Sequence, residues 1–262
     1  MSSVPTSDAG TVALSEHGAT LLITIDRPQR RNAITQEIAD GIDAALSRLE
    51  GEDALRVAVL TGAPPCFSAG TDLALDTSPQ TVAGGKYGLA RRRRSKPLVA
   101  AVEGYALGGG TELVLACDLV VAARDAVFGL PEVLRGVVAN CGALFRAPDR
   151  LPPNIAAEML LTGEPIEATR AFGFGLVNRL CEPGEAVTVA LALAERIALA
   201  SPAAVGATMH ALADHRAETE DAGWRLTERA DHAIATAPDR AEGIAAFFER
   251  RAPRWAAPQS SR

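Results

Sequence analysis

A chain of 262 residues, 48% hydrophobic and 22% charged, can form one large domain or two small ones and has the composition of an ordinary soluble globular protein. Its formal net charge of −6 argues against a general binder of nucleic acid or anionic membrane, and no stretch reaches the roughly 20 uninterrupted apolar residues of a membrane span. Met1 to Gly10 carries no secretory pattern, and Cys66, Cys117, Cys141 and Cys181 show no Cys-x-x-Cys spacing and no paired histidines, so a reducing cytoplasm without disulfides and without a bound metal is expected.

In chain order, Leu21-Leu22-Ile23-Thr24-Ile25-Asp26 reads as a strand that turns at Arg27-Pro28. Thr35 then caps a helix whose apolar face is Ile38, Ile42, Ala45, Leu46 and Leu49. Val57 to Thr61, Leu98 to Val102 and Leu119 to Ala122 are short continuous apolar runs, the pattern of parallel strands covered on both faces. From Pro153 the pattern becomes helical. Ile155 to Leu161 forms one helix, and a second starts at Ile166 and ends near Gly173 or Gly175. Leu176 to Leu180 reads as a last strand, and beyond Glu185 the chain is almost wholly helical, broken at Ser201-Pro202 and Ala237-Pro238. This alanine-rich tail has few large core residues and is expected to pack on the rest or on a second subunit. Ser2 to Gly10 and Ala256 to Arg262 read as loose ends.

Three motifs carry the chemistry. Phe67-Ser68-Ala69-Gly70-Thr71-Asp72-Leu73 and Gly108-Gly109-Gly110-Thr111-Glu112 each follow an apolar run, where open α/β sheets gather their sites. Glycines before a helix let a ligand approach main-chain N–H groups, and such donors suit a developing oxyanion. The third motif, Phe128-Gly129-Leu130-Pro131-Glu132, supplies a second carboxylate. Taken singly, an ordinary glycine-rich turn and two glutamates favouring helix N-termini account for these residues better than catalysis does. The triplet does not fit the dinucleotide pattern Gly-x-Gly-x-x-Gly.

Together with Ile25-Asp26-Arg27-Pro28, Asn32-Ala33, Ala100 to Leu113, Ala116-Cys117-Asp118, Leu161-Thr162-Gly163, Gly175-Leu176-Val177, Glu242-Gly243 and Arg250 to Pro253, these motifs make the chain resemble the enoyl-CoA hydratase/isomerase (crotonase) superfamily over nearly its whole length. The resemblance implies an α/β fold, the ClpP/crotonase-like spiral of repeated β-β-α units, with residues 1–195 as the core holding an acyl-CoA site and 196–262 as a helical trimerisation region. It implies a homotrimer or hexamer and no cofactor, coenzyme A being part of the substrate. Thr71 and Gly109 would supply the oxyanion-hole N–H groups. Glu112 would activate a water for attack at C3 of a 2-enoyl-CoA, and Glu132 would give a proton to C2. Arg30, Ala33, Ala69, Asp72 and Leu73 fall where relatives bind the CoA thioester, and Arg250 where a basic residue reaches a neighbour's CoA.

The implied activity is therefore enoyl-CoA hydration. Enoyl-CoA isomerisation, a carnitinyl-CoA type of dehydration, thioester hydrolysis and non-catalytic acyl-CoA or RNA binding are the alternatives. Asn140 stands where hydratases usually carry a glycine beside the reactive water, and could bond that water or the substrate or narrow the pocket. The segment Ala74 to Tyr87, which lines the acyl pocket in relatives, reads as generic turn residues. Arg91-Arg92-Arg93-Arg94 is expected to be a solvated strip, with CoA phosphates and RNA as further readings. His210, His215 and His232 are expected on the surface or in packing.

Overall fold

The computed structural model describes residues 10–75 and 77–256. Of the two expected loose ends only Gly10 and Ala256 lie within that range, and Asp76 of the acyl-pocket segment lies outside it. The elements run β1 (Thr11–His17), β2 (Thr20–Asp26), α1 (Gln36–Gly51), β3 (Val57–Gly62), β4 (Gln80–Thr81), β5 (Gly85–Lys86), β6 (Leu98–Val102), β7 (Tyr105–Leu107) and α2 (Gly109–Ala116). There follow β8 (Leu119–Ala123), β9 (Val127–Gly129), α3 (Ala143–Arg150), α4 (Pro153–Thr162), β10 (Ile166–Glu167), α5 (Ala168–Gly173), β11 (Arg179–Cys181), α6 (Ala186–Ala198), α7 (Pro202–Ala235) and α8 (Pro238–Glu249). Two 3-10 turns, Pro28–Arg30 and Pro131–Arg135, start at prolines.

The main sheet has the order β1-β2-β3-β6-β8-β11, parallel except for the β1–β2 hairpin. Its strands explain the apolar runs, because both faces are covered. Ala58, Leu60, Ala100, Val102, Val120 and Ala122 join the core formed with α1, while Val57, Val59, Val99, Ala101 and Val121 face Ala186, Ala190 and Ala194 of α6. Alternate residues on a strand point to opposite faces, so a run apolar at every position is what two covers demand. A second sheet, β10-β9-β7, takes β7 and β9 from the segments just after β6 and β8, and Ser68, beyond β3, bridges to it at Ala106. The units β6-β7-α2 and β8-β9-turn thus repeat one pattern, the spiral expected from the sequence.

Thr35 caps α1, its hydroxyl accepting the Ile38 amide at 3.3 Å. Gly163 ends α4 in the left-handed region at φ +72°. Some expectations shift. Ile166 is a strand residue, paired with Phe128, and the helix begins only at Ala168. Leu176 is held by the turn after α5, its amide bonding Ala171 O at 3.0 Å, so the last strand starts at Arg179. β1 escaped the sequence reading because its side chains are mostly exposed and show no buried face. The expected boundary at residue 195 falls inside α6, which packs on the main sheet.

The four-arginine run is a solvated strip only in part, Arg91 and Arg93 being exposed. Arg94 is buried against Asp118 at 2.6 Å and Arg92 pairs with Asp43 of α1. Arg91 and Arg93 pair with Glu228 and Asp214 of α7. The run is a clasp joining α1, the start of β8 and α7. Of the 34 residues of α7 only Gly223, Trp224 and Thr227 are buried, whereas Leu199, Leu226 and Phe248 are exposed. The three tail histidines are exposed, as expected.

Candidate active site

The site forms where the β3 and β6 units meet. Asn32 ties the loops together: its amide nitrogen donates to Ala63 O and Cys66 O, both at 2.7 Å, and its oxygen accepts Arg27 N at 3.0 Å. Ser68 then accepts the Gly70 amide at 3.1 Å, and Gly70 takes φ +91°. That turn lies flat on the glycine triplet. A β-carbon on Gly70 would come within 2.8 Å of Gly109 N, a separation no side chain tolerates.

This brings Thr71 beside Gly109. Thr71 bridges Ile34 in parallel through its neighbours, Gly70 O accepting from Ile34 N and Asp72 N donating to Ile34 O, so its own N–H points away from that bridge. Gly109 opens α2, where the first N–H groups have no partner inside the helix. Among the described residues neither amide donates a hydrogen bond. Two free donors side by side, one of them at a helix N-terminus, suit a negative oxygen.

Glu112 lies in the first turn of α2 and is 2% exposed. Its Oε1 accepts Cys141 N at 2.7 Å and Ala143 N at 3.1 Å. Burial raises its pKa, while those two amides and the Arg146 guanidinium oppose the rise. Glu132 comes from the Pro131–Arg135 turn, with Oε1 lying over Gly108, 3.2 Å from where a β-carbon there would sit. Its Oε2 is buried without a hydrogen-bond partner. Burial and the charge of Glu112 push its pKa up to about 8. The two carboxyls therefore differ in kind: amide donors favour the charged form of Glu112 against its burial, whereas Glu132 Oε2 has no such donor and Glu132 is pushed up to about 8.

The other expected site residues fall around this centre. Ala69 is half-buried and held by its amide on Arg31 O, and Leu73 is half-buried beyond the turn. Asp72 pairs with the buried Arg27 at 2.7 Å, which leaves it a structural anchor for the Thr71 turn. Arg30 is exposed at the end of the first 3-10 turn, close enough to lower the Asp72 pKa, and Ala33 O accepts from Arg27 Nη1. Arg250 caps α8, exposed, at φ +53°. The Asn140 side chain is engaged: Oδ1 accepts from Ser78 Oγ at 3.0 Å and Nδ2 donates to Asp231 Oδ1 of α7 at 3.2 Å.

Two residues at the centre escaped the sequence reading. Tyr87, in the segment read as generic turn, is 1% exposed, and its hydroxyl lies 2.6 Å from Thr71 Oγ1. It is pressed against Gly109, where an added β-carbon would meet it at 2.4 Å. Cys141, buried, gives its amide to Glu112 and its thiol to Asn140 Oδ1. The sole hint at Tyr87 was an aromatic residue amid Gly84, Gly85 and Gly88.

A family model described as Enoyl-CoA hydratase/isomerase matches residues 15–258. The chain belongs to that family. Among characterised members of the enoyl-CoA hydratase/isomerase family, it is 38% identical to mevalonyl-coenzyme A hydratase sidH of Aspergillus fumigatus over 244 residues, 90% of each chain. It is 34% identical to enoyl-CoA hydratase EchA19 of Mycobacterium tuberculosis, covering 95% of this chain and 97% of that one. The structure of EchA1_1 from Mycobacterium paratuberculosis superposes with a TM-score of 0.90 at 40% identity, over 96% of this chain and all of that one. A carnitinyl-CoA dehydratase structure from Mycobacterium avium gives 0.88 at 38% identity, over 95% and 100%. The spiral fold of this family is thus the fold of this chain.

Proposed function

We propose that the protein is an enoyl-CoA hydratase, adding water across the C2–C3 double bond of a 2-enoyl-CoA. The observation that carries this reading is the unequal carboxyl pair beside two free amides. The thioester oxygen takes the Thr71 and Gly109 N–H groups, which stabilise the enolate as charge moves onto it; deleting one such donor elsewhere costs about 3–4 kcal/mol. Glu112, ionised, takes a proton from the water as its oxygen bonds to C3. Glu132, protonated, gives its proton to C2. The carboxyls and amides supply every group the reaction needs, so no metal or organic cofactor enters it.

The same groups in reverse eliminate water from a 3-hydroxyacyl-CoA. This second reading is favoured by the likeness to carnitinyl-CoA dehydratase of Proteus mirabilis, 36% identical over 256 residues. Purified protein is offered crotonyl-CoA and longer 2-enoyl-CoAs while the conjugated-thioester absorbance is followed, with mass spectrometry in deuterated water locating the label at C2. Unchanged absorbance with all of them would sink the hydratase reading. The proposal includes a homotrimer or a dimer of trimers, supported by the exposed apolar residues of α7 and α8; light scattering at a monomer mass would remove that part.

A further inference from the structure

Helix α7 is seated on the segment that holds Glu112. A β-carbon on Gly223 would meet the Phe145 ring at 2.4 Å, and the Trp224 ring lies edge-to-face with Phe145, centroids 5.2 Å apart. Trp224 also comes within 3.5 Å of where a β-carbon on Gly142 would sit. Thr227 and Asp231 follow on the same face of the helix, Thr227 being buried. Asp231 Oδ1 there accepts a hydrogen bond from Asn140 Nδ2 at 3.2 Å. A carboxylate can only accept, so the Asn140 amide presents its nitrogen to α7 and keeps Oδ1 as an acceptor. That oxygen accepts the Ser78 hydroxyl at 3.0 Å and the Cys141 thiol at 3.1 Å. Asn140 is thus held by α7, by the segment that precedes Tyr87 and by its own neighbour.

The peptide between Asn140 and Cys141 carries the N–H that donates to Glu112 Oε1 at 2.7 Å, the shorter of the two amide bonds to that oxygen. A peptide unit is planar, so holding both Asn140 and the Cys141 thiol sets the direction of this N–H. We propose that Asp231 is a positioning residue for hydration: by clamping Asn140 it aims the Cys141 amide at Glu112, an inference that rests on the hydratase reading. A well-aligned donor favours the charged form of a carboxylate, and the charged form is the one that can take a proton from water. The ionisable groups around Glu112 are Glu132, Arg146, Tyr87 and Cys141, and a substitution at Asp231 replaces none of them.

The acid limb of kcat/KM, where the base of the free enzyme titrates, tests the clamp. Asp231→Ala should move that limb to higher pH and lower kcat/KM along it roughly threefold to tenfold, the worth of one hydrogen bond. The alkaline limb, set by Glu132, should stay in place. Asp231→Asn, whose amide oxygen still accepts, should recover most of the loss. Asp214→Ala, which breaks the Arg93 pair on the same helix, should leave the acid limb where it is. In an Asn140→Ala background Asp231→Ala should add nothing, because the link is already cut. Loss of folded protein lowers the rate at every pH and moves no limb. An unmoved limb in Asp231→Ala, an equal shift in Asp214→Ala, or a full effect of Asp231→Ala without Asn140 overturns the proposal. If no 2-enoyl-CoA is turned over, the hydratase reading falls. An NMR titration of the Glu112 carboxyl carbon, assigned by its loss in Glu112→Gln, then decides the positioning by itself. A higher midpoint in Asp231→Ala than in wild type supports it, and an equal midpoint refutes it.

Discussion

Glu112 and Glu132 reach into one cleft from different elements, yet only Glu112 is met by backbone donors: Cys141 and Ala143 amides hold its Oε1, while Glu132 Oε2 is buried with none. A buried carboxyl beside another charge, without donors, is cheaper neutral than ionised. On the proposed hydration, that asymmetry would suit Glu112 to act as the base and Glu132 as the acid.

Catalysis should follow that asymmetry. Because Glu132 must be protonated and its pKa is raised to about 8, kcat/KM should fall as pH rises through that value. Glu132→Gln should lower kcat by roughly 10²–10⁴-fold and remove the alkaline limb. Glu112→Gln should lower kcat similarly while moving the residual alkaline limb to lower pH, since it removes the repulsion that raises Glu132. Rate profiles from pH 5 to 9.5 check both; an alkaline limb that stays put in Glu112→Gln would separate the two carboxyls.

Stability should carry the same signature. The folded pKa of Glu132 lies above its ordinary value of 4.5, so between about 4.5 and 8 the native state holds a proton that the unfolded chain has released. Its contribution is therefore full below 4.5 and is lost as pH rises to 8. The Tm of Glu132→Gln should gain on wild type steadily over that range, as measured by calorimetry at stepped pH. A constant difference would show that the group does not titrate as described.

Gly109→Ala should damage both packing and turnover. Its β-carbon would meet the Tyr87 hydroxyl at 2.4 Å and the ring carbon bearing it at 2.7 Å, and Tyr87 is fully enclosed. Overpacking of this kind costs about 1–3 kcal/mol. Denaturant titration should show a lowered midpoint, and kcat should fall further than stability alone explains, because the displaced ring moves against Thr71. Wild-type turnover in this variant would mean that the close seating of Tyr87 on Gly109 does not matter to the site.

The arginine clasp should be graded by burial. Arg94→Met leaves Asp118 without its partner and should cost about 3–5 kcal/mol, the usual result of halving a buried pair. Arg93, paired with Asp214 on the exposed surface, should change stability by less than about 1 kcal/mol when replaced by Ala. Chemical denaturation of the two variants in parallel tests the order, and equal losses would contradict it.

Much of this was legible from the chain. The apolar runs at Val57, Leu98 and Leu119 needed cover on both faces, and α1 and α6 supply it. The two glutamates and the two amides stood in motifs that were unspecific singly, and their roles came from the resemblance those motifs carry together. Tyr87 left no such mark. A tyrosine among glycines becomes part of a site only when another segment, here Gly109, is laid against it. Arg91 to Arg94 read as a charged strip for the same reason, because its carboxylates lie on α1, at the start of β8 and on α7.

The amino-acid order by itself determined the buried strands of the main sheet and the Thr35 cap, which depend on periodicity and on neighbours a few residues apart, and its motifs carried the resemblance to the family. The tertiary structure alone decided which carboxyl keeps a proton, what Asn140 bonds and where the arginines end. Those outcomes depend on burial and on charges brought together across tens of residues, and an electrostatic environment exists only once the chain has closed around it.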